Sequence, residues 1–122
     1  MANKFTELCI DCKDHGRLAE FWAEVLGYEI SEVGTHGTQI KGPAGSGPTL
    51  LFIVVPEGKT VKNRLHIDVN ATDRDQSEEV ERLIALGARR IDIGQGDVDW
   101  VVLADPEGNE FCVLKSRVEP YK

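Results

Sequence analysis

Residues 6–12 alternate, with Leu8, Ile10 and Cys12 on one face and Glu7, Cys9 and Asp11 on the other, which predicts a half-buried strand. The period then changes to that of a helix. Leu18, Phe21, Trp22, Val25 and Leu26 recur at helical spacing, Asp14 stands before them as a cap and Gly27 after them as a terminator, so a helix is expected over 15–26. Three β-like stretches follow, at 28–33, 35–41 and 49–55, separated by Gly34 and by the Gly- and Pro-rich loop 42–48. The order is βαβββ.

The same order is read a second time. Residues 64–70 alternate, with Leu65, Ile67 and Val69 facing one way and His66 and Asp68 the other; Val80, Leu83, Ile84 and Leu86 mark a helix ended by Gly87; and strands are expected at 88–93, 97–104 and 109–115. An internal match supports a repeat: Leu8-Cys9-Ile10-Asp11 returns 57 residues later as Leu65-His66-Ile67-Asp68, and Leu26-Gly27 returns 60 residues later as Leu86-Gly87. The polar stretch 71–75 accommodates the three-residue difference. Module one is placed at about 5–55, a linker at 56–63 and module two at 64–116, within a single domain spanning 1–122.

One helix cannot cover both faces of a sheet, so each module should have a helix-covered face and an open one. The fold class expected is α+β, two tandem βαβββ modules forming a curved, cleft-bearing mixed sheet with one helix per module on its outer face. On this parity Leu8, Ile10, Cys12, Leu65, Ile67 and Val69 pack under the helices, while Glu7, Cys9, Asp11, His66 and Asp68 project to the cleft side.

Composition narrows the class further. A chain of 122 residues that is 41% hydrophobic and 29% charged is that of one globular domain rather than a disordered tail or fibre. Its 14 basic and 21 acidic residues give a formal charge of −7, which argues against nucleic acid or an anionic membrane as partner. There is no apolar signal core near the start and no apolar run long enough to cross a bilayer, so a cytoplasmic location is expected. Three cysteines cannot all pair within one chain and are read as reduced thiols, and Asn70-Ala71-Thr72 is treated as a chance match to a glycosylation acceptor.

Among candidate chemical groups, His66 stands out because it interrupts an apolar run at a cleft-facing position; a hydrogen-bonded structural role is the alternative. Cys9 and Cys12 have the spacing of a zinc knuckle, but residues three apart in a strand point to opposite faces, so both thiolates cannot reach one ion. Cys12 then reads as a small buried hydrophobe, and Cys9 and Cys112 as cleft residues or inert thiols. No nucleophile elbow or phosphate-cradling loop is present. Gly94-Gln95-Gly96-Asp97 reads as a hairpin turn, and Asp105-Pro106-Glu107-Gly108-Asn109 as turn chemistry between two strands.

The runs Leu65-His66-Ile67-Asp68-Val69, Phe21-Trp22-Ala23-Glu24-Val25-Leu26-Gly27-Tyr28 and the stretch from Trp100 through Asp105-Pro106-Glu107-Gly108-Asn109 to Phe111 resemble the vicinal oxygen chelate superfamily, the group of glyoxalase I, bleomycin-resistance proteins and extradiol dioxygenases, and its glyoxalase-like branch in particular. The resemblance implies paired βαβββ modules, usually in a homodimer, and a divalent metal held by the first and last strands of the modules. His66 falls where the second module's first-strand histidine is expected. Glu7 occupies the corresponding place in the first module. The last strand should carry a glutamate where this chain has Cys112, with Glu110 displaced from it by two residues on the same face, and the first module's last strand, 50–55, offers no polar side chain.

The metal set implied is therefore Glu7, His66 and Cys112, with Cys9 or Glu110 as substitutes, holding either no metal or a single divalent ion, Zn, Ni, Mn or Fe; a thiolate favours the softer Zn. Two functions follow. One is a metal-free pocket that binds or sequesters a small, partly apolar molecule, with Phe52, Trp100 and Tyr28 as walls, each of which has core packing as its alternative role. The other is a metal-dependent lyase, isomerase or dioxygenase in which Glu7, His66 and Glu110 are the catalytic candidates, the ion polarising a substrate oxygen and a glutamate moving a proton. The missing last-strand carboxylate favours the first. A structural or regulatory dimer has nothing in the sequence to recommend it. Lys59, Lys62 and Arg64 could meet an acidic ligand group, although a solvated linker explains them equally.

Overall fold

The computed structural model describes residues 1–120, and residues 121 and 122 of the expected domain lie outside it. Ten elements follow one another: β1 (Glu7–Cys12), α1 (His15–Leu26), β2 (Glu29–Val33), β3 (Gly37–Lys41), β4 (Thr49–Val54), β5 (Ile67–Val69), α2 (Gln76–Leu86), β6 (Arg89–Arg90), β7 (Val101–Ala104) and β8 (Glu110–Val113). They form two four-stranded mixed sheets, ordered β1-β4-β3-β2 and β5-β8-β7-β6, each with one parallel pair and two antiparallel ones. This is the α+β, twice-βαβββ architecture that the periodicity predicts, with a sheet to each module. Compact units divide between Gly58 and Lys59. No helix among the described residues is long and apolar enough to cross a membrane.

α1 begins where Asp14 accepts a hydrogen bond from the Arg17 backbone N–H at 3.1 Å, and it ends where Gly27 takes a left-handed φ of +68°. Its apolar face buries Leu18, Ala19, Phe21 and Trp22, the last two meeting edge to face with ring centroids 5.5 Å apart. On the sheet beneath, Ile40, Leu50 and Phe52 are buried. α2 has a full capping box, Asp75 accepting from the Glu78 N–H and Glu78 accepting from the Asp75 N–H, and buries Val80 and Leu83. Beneath its module Leu103, Phe111 and Val113 are 0% exposed.

Several strands are shorter than the alternation predicts, and each loss has a local cause. The strand expected over 64–70 is only Ile67–Val69, and Leu65, expected under the second helix, is 83% exposed. The parallel register pairs Ile67 with Phe111, so Leu65 would need Asn109 as its partner. Both backbone groups of Asn109 are already used: its N–H donates to the Asp105 carboxylate and its C=O accepts from the Asp105 N–H, each at 2.9 Å. The strands expected at 88–93 and 97–104 shrink to Arg89–Arg90 and Val101–Ala104. Between them Asp92 accepts from the Gly94 N–H and Gln95 from the Ile93 N–H, side-chain bonds that compete with the ladder for the same backbone groups. The last strand, expected over 109–115, is Glu110–Val113.

Candidate functional site

In β8 alternate residues face opposite sides. Phe111 and Val113 lie on the side covered by α2, leaving Glu110 and Cys112 on the other. The turn before the strand fixes that orientation. Asp105 is wholly buried, and its carboxylate accepts from the backbone N–H of Glu107 and of Asn109 and from the Asn109 side-chain amide, while Gly108 closes the turn at φ +90°. The Asp-Pro-Glu-Gly-Asn sequence is thus a self-sufficient turn whose structural result is to aim Glu110 and Cys112.

Glu110 is not presented to a ligand. It is buried, and its two carboxylate oxygens accept separately from the Lys59 ammonium at 2.6 Å and from the Asn63 backbone N–H at 2.7 Å. The Asn63 side chain adds a bond to the Asn109 side-chain oxygen at 2.9 Å. Burial alone would raise the acid's pKa. The Lys59 hydrogen bond and charge and the backbone N–H bonds outweigh it and hold the carboxyl below its ordinary range. This clasp ties the segment before β5 to the start of β8.

At the other end of the same face three groups converge. The register sets Asp68 of β5 directly opposite Cys112 of β8, and His66 precedes Asp68 by two residues, on the same side. The His66 Nδ1 lies 3.0 Å from the Asp68 carboxylate, and one ligand atom from each of His66, Asp68 and Cys112 lies within 4.8 Å of the others. An ionised carboxylate can only accept, so Nδ1 donates to it and Nε2 is the ring nitrogen turned away from Asp68. His66 and Asp68 are nearly half exposed, and Cys112 is buried. Burial, the Asp68 charge and a hydrogen bond to Asp68 push the Cys112 thiol's pKa up, against a smaller opposing pull from Lys62. At neutral pH the thiol is therefore protonated.

Of the metal set expected from the sequence, the structure brings His66 and Cys112 together, and adds Asp68. Alternation alone already places Asp68 beside His66, so that signal was available. Glu7 is exposed at the start of β1, opposite Thr49, in the other compact unit; Cys9, on the same face, is also exposed. Phe52 is 0% exposed and takes the core role. Tyr28 is half-buried and its hydroxyl donates to the Ser46 carbonyl at 3.1 Å, holding the 42–48 loop; a side chain at Gly42 would strike both residues. Trp100 precedes β7 and remains 42% exposed. A recess of about 510 Å³ in the first unit is lined by Val33, Leu51 and Ile53 with Glu32, His36 and Gln39, and by none of these three aromatic residues.

Donor chemistry at the trio fits a thiophilic divalent ion: imidazole nitrogen, carboxylate oxygen and sulfur, three ligands from the protein. Zinc bonds of about 2.0–2.3 Å imply donor separations of roughly 3.3–3.8 Å, so the groups would have to close by up to about 1 Å and the thiol would have to give up its proton.

No curated protein matches the chain. Solved structures match it in fold. A glyoxalase/bleomycin resistance protein/dioxygenase family enzyme from Burkholderia phytofirmans PsJN is 20% identical, with 91% of this chain and 97% of that one covered and a TM-score of 0.69. The fosfomycin resistance protein FosX from Mesorhizobium loti is 14% identical over 97% of this chain and 96% of that one, with a TM-score of 0.70. A variant of FosX from Listeria monocytogenes, solved with Mn(II) and 1S,2S-dihydroxypropylphosphonic acid, is 16% identical over 97% and 92%, with a TM-score of 0.68. The family model described as glyoxalase-like domain matches residues 7–114, and the chain accordingly belongs to the glyoxalase-like domain family, within the vicinal oxygen chelate group.

Proposed function

We propose that this protein binds a small, partly apolar organic molecule on the face of the second sheet opposite α2, with His66, Asp68 and Cys112 as the polar end of the site and no metal required. The observation that supports this reading is that the polar groups of this face are already engaged with partners inside the protein. Asp68 takes a bond from His66 and stands directly opposite Cys112, whose thiol pKa burial and the Asp68 charge push up, while Glu110 is committed to Lys59 and Asn63. What such a face offers a ligand is the His66 ring and the outer lone pairs of Asp68, both nearly half exposed. A hydroxyl or amide group on a mostly apolar body suits it.

A second reading is supported by the spacing of the trio. His66, Asp68 and Cys112 would hold a divalent ion, zinc by the softness of its sulfur donor, as FosX of Listeria monocytogenes was solved with Mn(II). When bound, such an ion supplies Lewis-acid polarisation of a ligand oxygen, the chemistry a lyase, isomerase or dioxygenase would use. In that case His66 and Asp68 orient the ligand set and Cys112 gives up its proton.

Elemental analysis of untagged protein, with zinc, nickel, manganese and iron titrations of the metal-stripped form and of His66→Ala, separates the two. We expect no saturable metal, and any ligand found by thermal-shift screening to bind stripped and zinc-supplemented protein within about threefold, less than 1 kcal/mol. Near-stoichiometric metal that is lost in His66→Ala would overturn the metal-free reading and establish the other.

A further inference from the structure

A recess of about 390 Å³ lies in the second unit, and its lining includes Lys59, Lys62, Arg89, Ala104, Glu107 and Glu110. The strand register relates it to the trio. Arg89 pairs with Ala104 and Ala104 with Glu110, one row across β6, β7 and β8; Val102 pairs with Cys112 and Cys112 with Asp68, the next row on the same face. With strands about 4.8 Å apart and a rise of about 3.4 Å per residue, Arg89 lies roughly 12 Å from Cys112 along that face, measured between backbones. A single small molecule spans this distance.

Charge in the recess runs against the charge of the chain. The formal total is −7. Lining this recess, three cations face two carboxylates, and one carboxylate, Glu110, is already neutralised by Lys59 at 2.6 Å. Lys62 and Arg89 remain against Glu107. Arg89 makes no ion pair among the described residues, and its guanidinium lies beside the backbone of Gly108, where an added Cβ would come only to 4.0 Å from it. The neighbouring Arg90, on the opposite face by alternation, pairs instead with Glu81. Lys62 is near enough to the trio for its charge to act on Cys112. The N–H groups of Glu107 and Asn109 are spent on Asp105, so side chains rather than backbone must do any binding here.

We propose that Lys62 and Arg89 form the subsite for an oxyanion, a carboxylate or phosphate group carried by the small molecule whose other end meets His66, Asp68 and Cys112. This rests on the reading of the trio as a ligand site and names the class of ligand: a small organic anion. A negatively charged protein admits an anion most readily at a recess whose lining cations outnumber its carboxylates, and here a guanidinium and an ammonium supply a fork and a point charge.

The test uses inorganic phosphate and, separately, succinate, titrated into ¹⁵N-labelled full-length protein. The expected result is saturable one-to-one shifts of the Gly108 and Arg89 amides and of the Arg89 Nε–H, with affinity at least tenfold weaker in Arg89→Gln and in Lys62→Gln and unchanged in Arg90→Gln. Response to only one of the two anions identifies which oxyanion the subsite takes. Shifts that rise without saturating, or equal binding by Arg89→Gln, would mean an adventitious ion only and overturn the proposal. Neither probe calls on His66 or Cys112, so failure of the small-molecule reading in its own titration is distinguishable from failure here.

Discussion

Ile10 and Ile67 occupy equivalent places in the two modules, and each faces a phenylalanine across a parallel strand pair, Phe52 in one and Phe111 in the other. Both rings are 0% exposed. One residue further on the equivalence ends: Asp11 faces Ile53, whereas Asp68 faces Cys112. The repeat thus keeps the row that packs beneath the helix and differs in the row on the open face. Covered positions are specified by packing volume in both modules, while open positions are free to carry chemistry in one and apolar surface in the other. Cys112, with His66 in place of Cys9, makes the second module a candidate site, and Leu51 and Ile53 make the first an apolar recess.

If the two buried rings are equivalent, their removal should cost alike. Phe52→Ala and Phe111→Ala are each expected to destabilise by about 3–5 kcal/mol, the usual range for a fully buried aromatic. Hydrogen exchange would show the loss of protection confined to the module that carries the change. A cost under about 1 kcal/mol at either position would mean that one row is not core, and the comparison would fail at its base.

A smaller effect separates the modules. Among the described residues, only the second has a buried carboxylate clasped from the linker, so Glu110→Gln should cost about 2 kcal/mol at neutral pH, the worth of charge-assisted bonds to Lys59 and the Asn63 N–H. The folded acid titrates below the ordinary glutamate value of 4.5. A depressed folded pKa contributes stability that is present above that ordinary value and is lost as pH falls through the folded one. Urea unfolding at a series of pH values should therefore find wild type and Glu110→Gln furthest apart near neutrality and converging as pH falls below 4.5 through the folded pKa. A constant gap would show that the amide loses packing rather than charge.

Much of this was legible from periodicity. The helix expected over 15–26 is His15–Leu26, because cap, apolar stripe and terminating glycine all agree. Alternation also put His66 and Asp68 side by side, since a period of two needs nothing beyond neighbouring residues. What escaped it were contacts between residues far apart in sequence: Lys59 with Glu110, 51 residues on, and the Asp105 side chain taking the backbone groups that Leu65 would have needed as a strand partner. Glu110 looked like a free proton carrier because nothing local reveals that the linker returns to it. Phe52 looked like a wall because an aromatic side chain in an apolar strand reads the same on either face until the register is known.

The finest distinction between the modules is between two cysteines. Cys9 stands exposed on the first open face, whereas Cys112 is buried opposite Asp68, and burial together with that carboxylate raises its pKa. Only the thiolate alkylates, so iodoacetamide at pH 8 should modify Cys112 at least about tenfold more slowly than Cys9, as peptide mapping by mass spectrometry would read. Burial and the carboxylate can be told apart. Asp68→Asn removes the negative charge and leaves the shape, so if Asp68 holds the proton on sulfur, Cys112 labelling should accelerate in that variant while Cys9 keeps its rate. An unchanged Cys112 rate would assign its slowness to burial alone and remove Asp68's hold on the thiol from the metal-free reading. Acceleration would show that one carboxylate restrains both the thiol and the imidazole, the arrangement that module one, with Ile53 opposite Asp11, has no means to build.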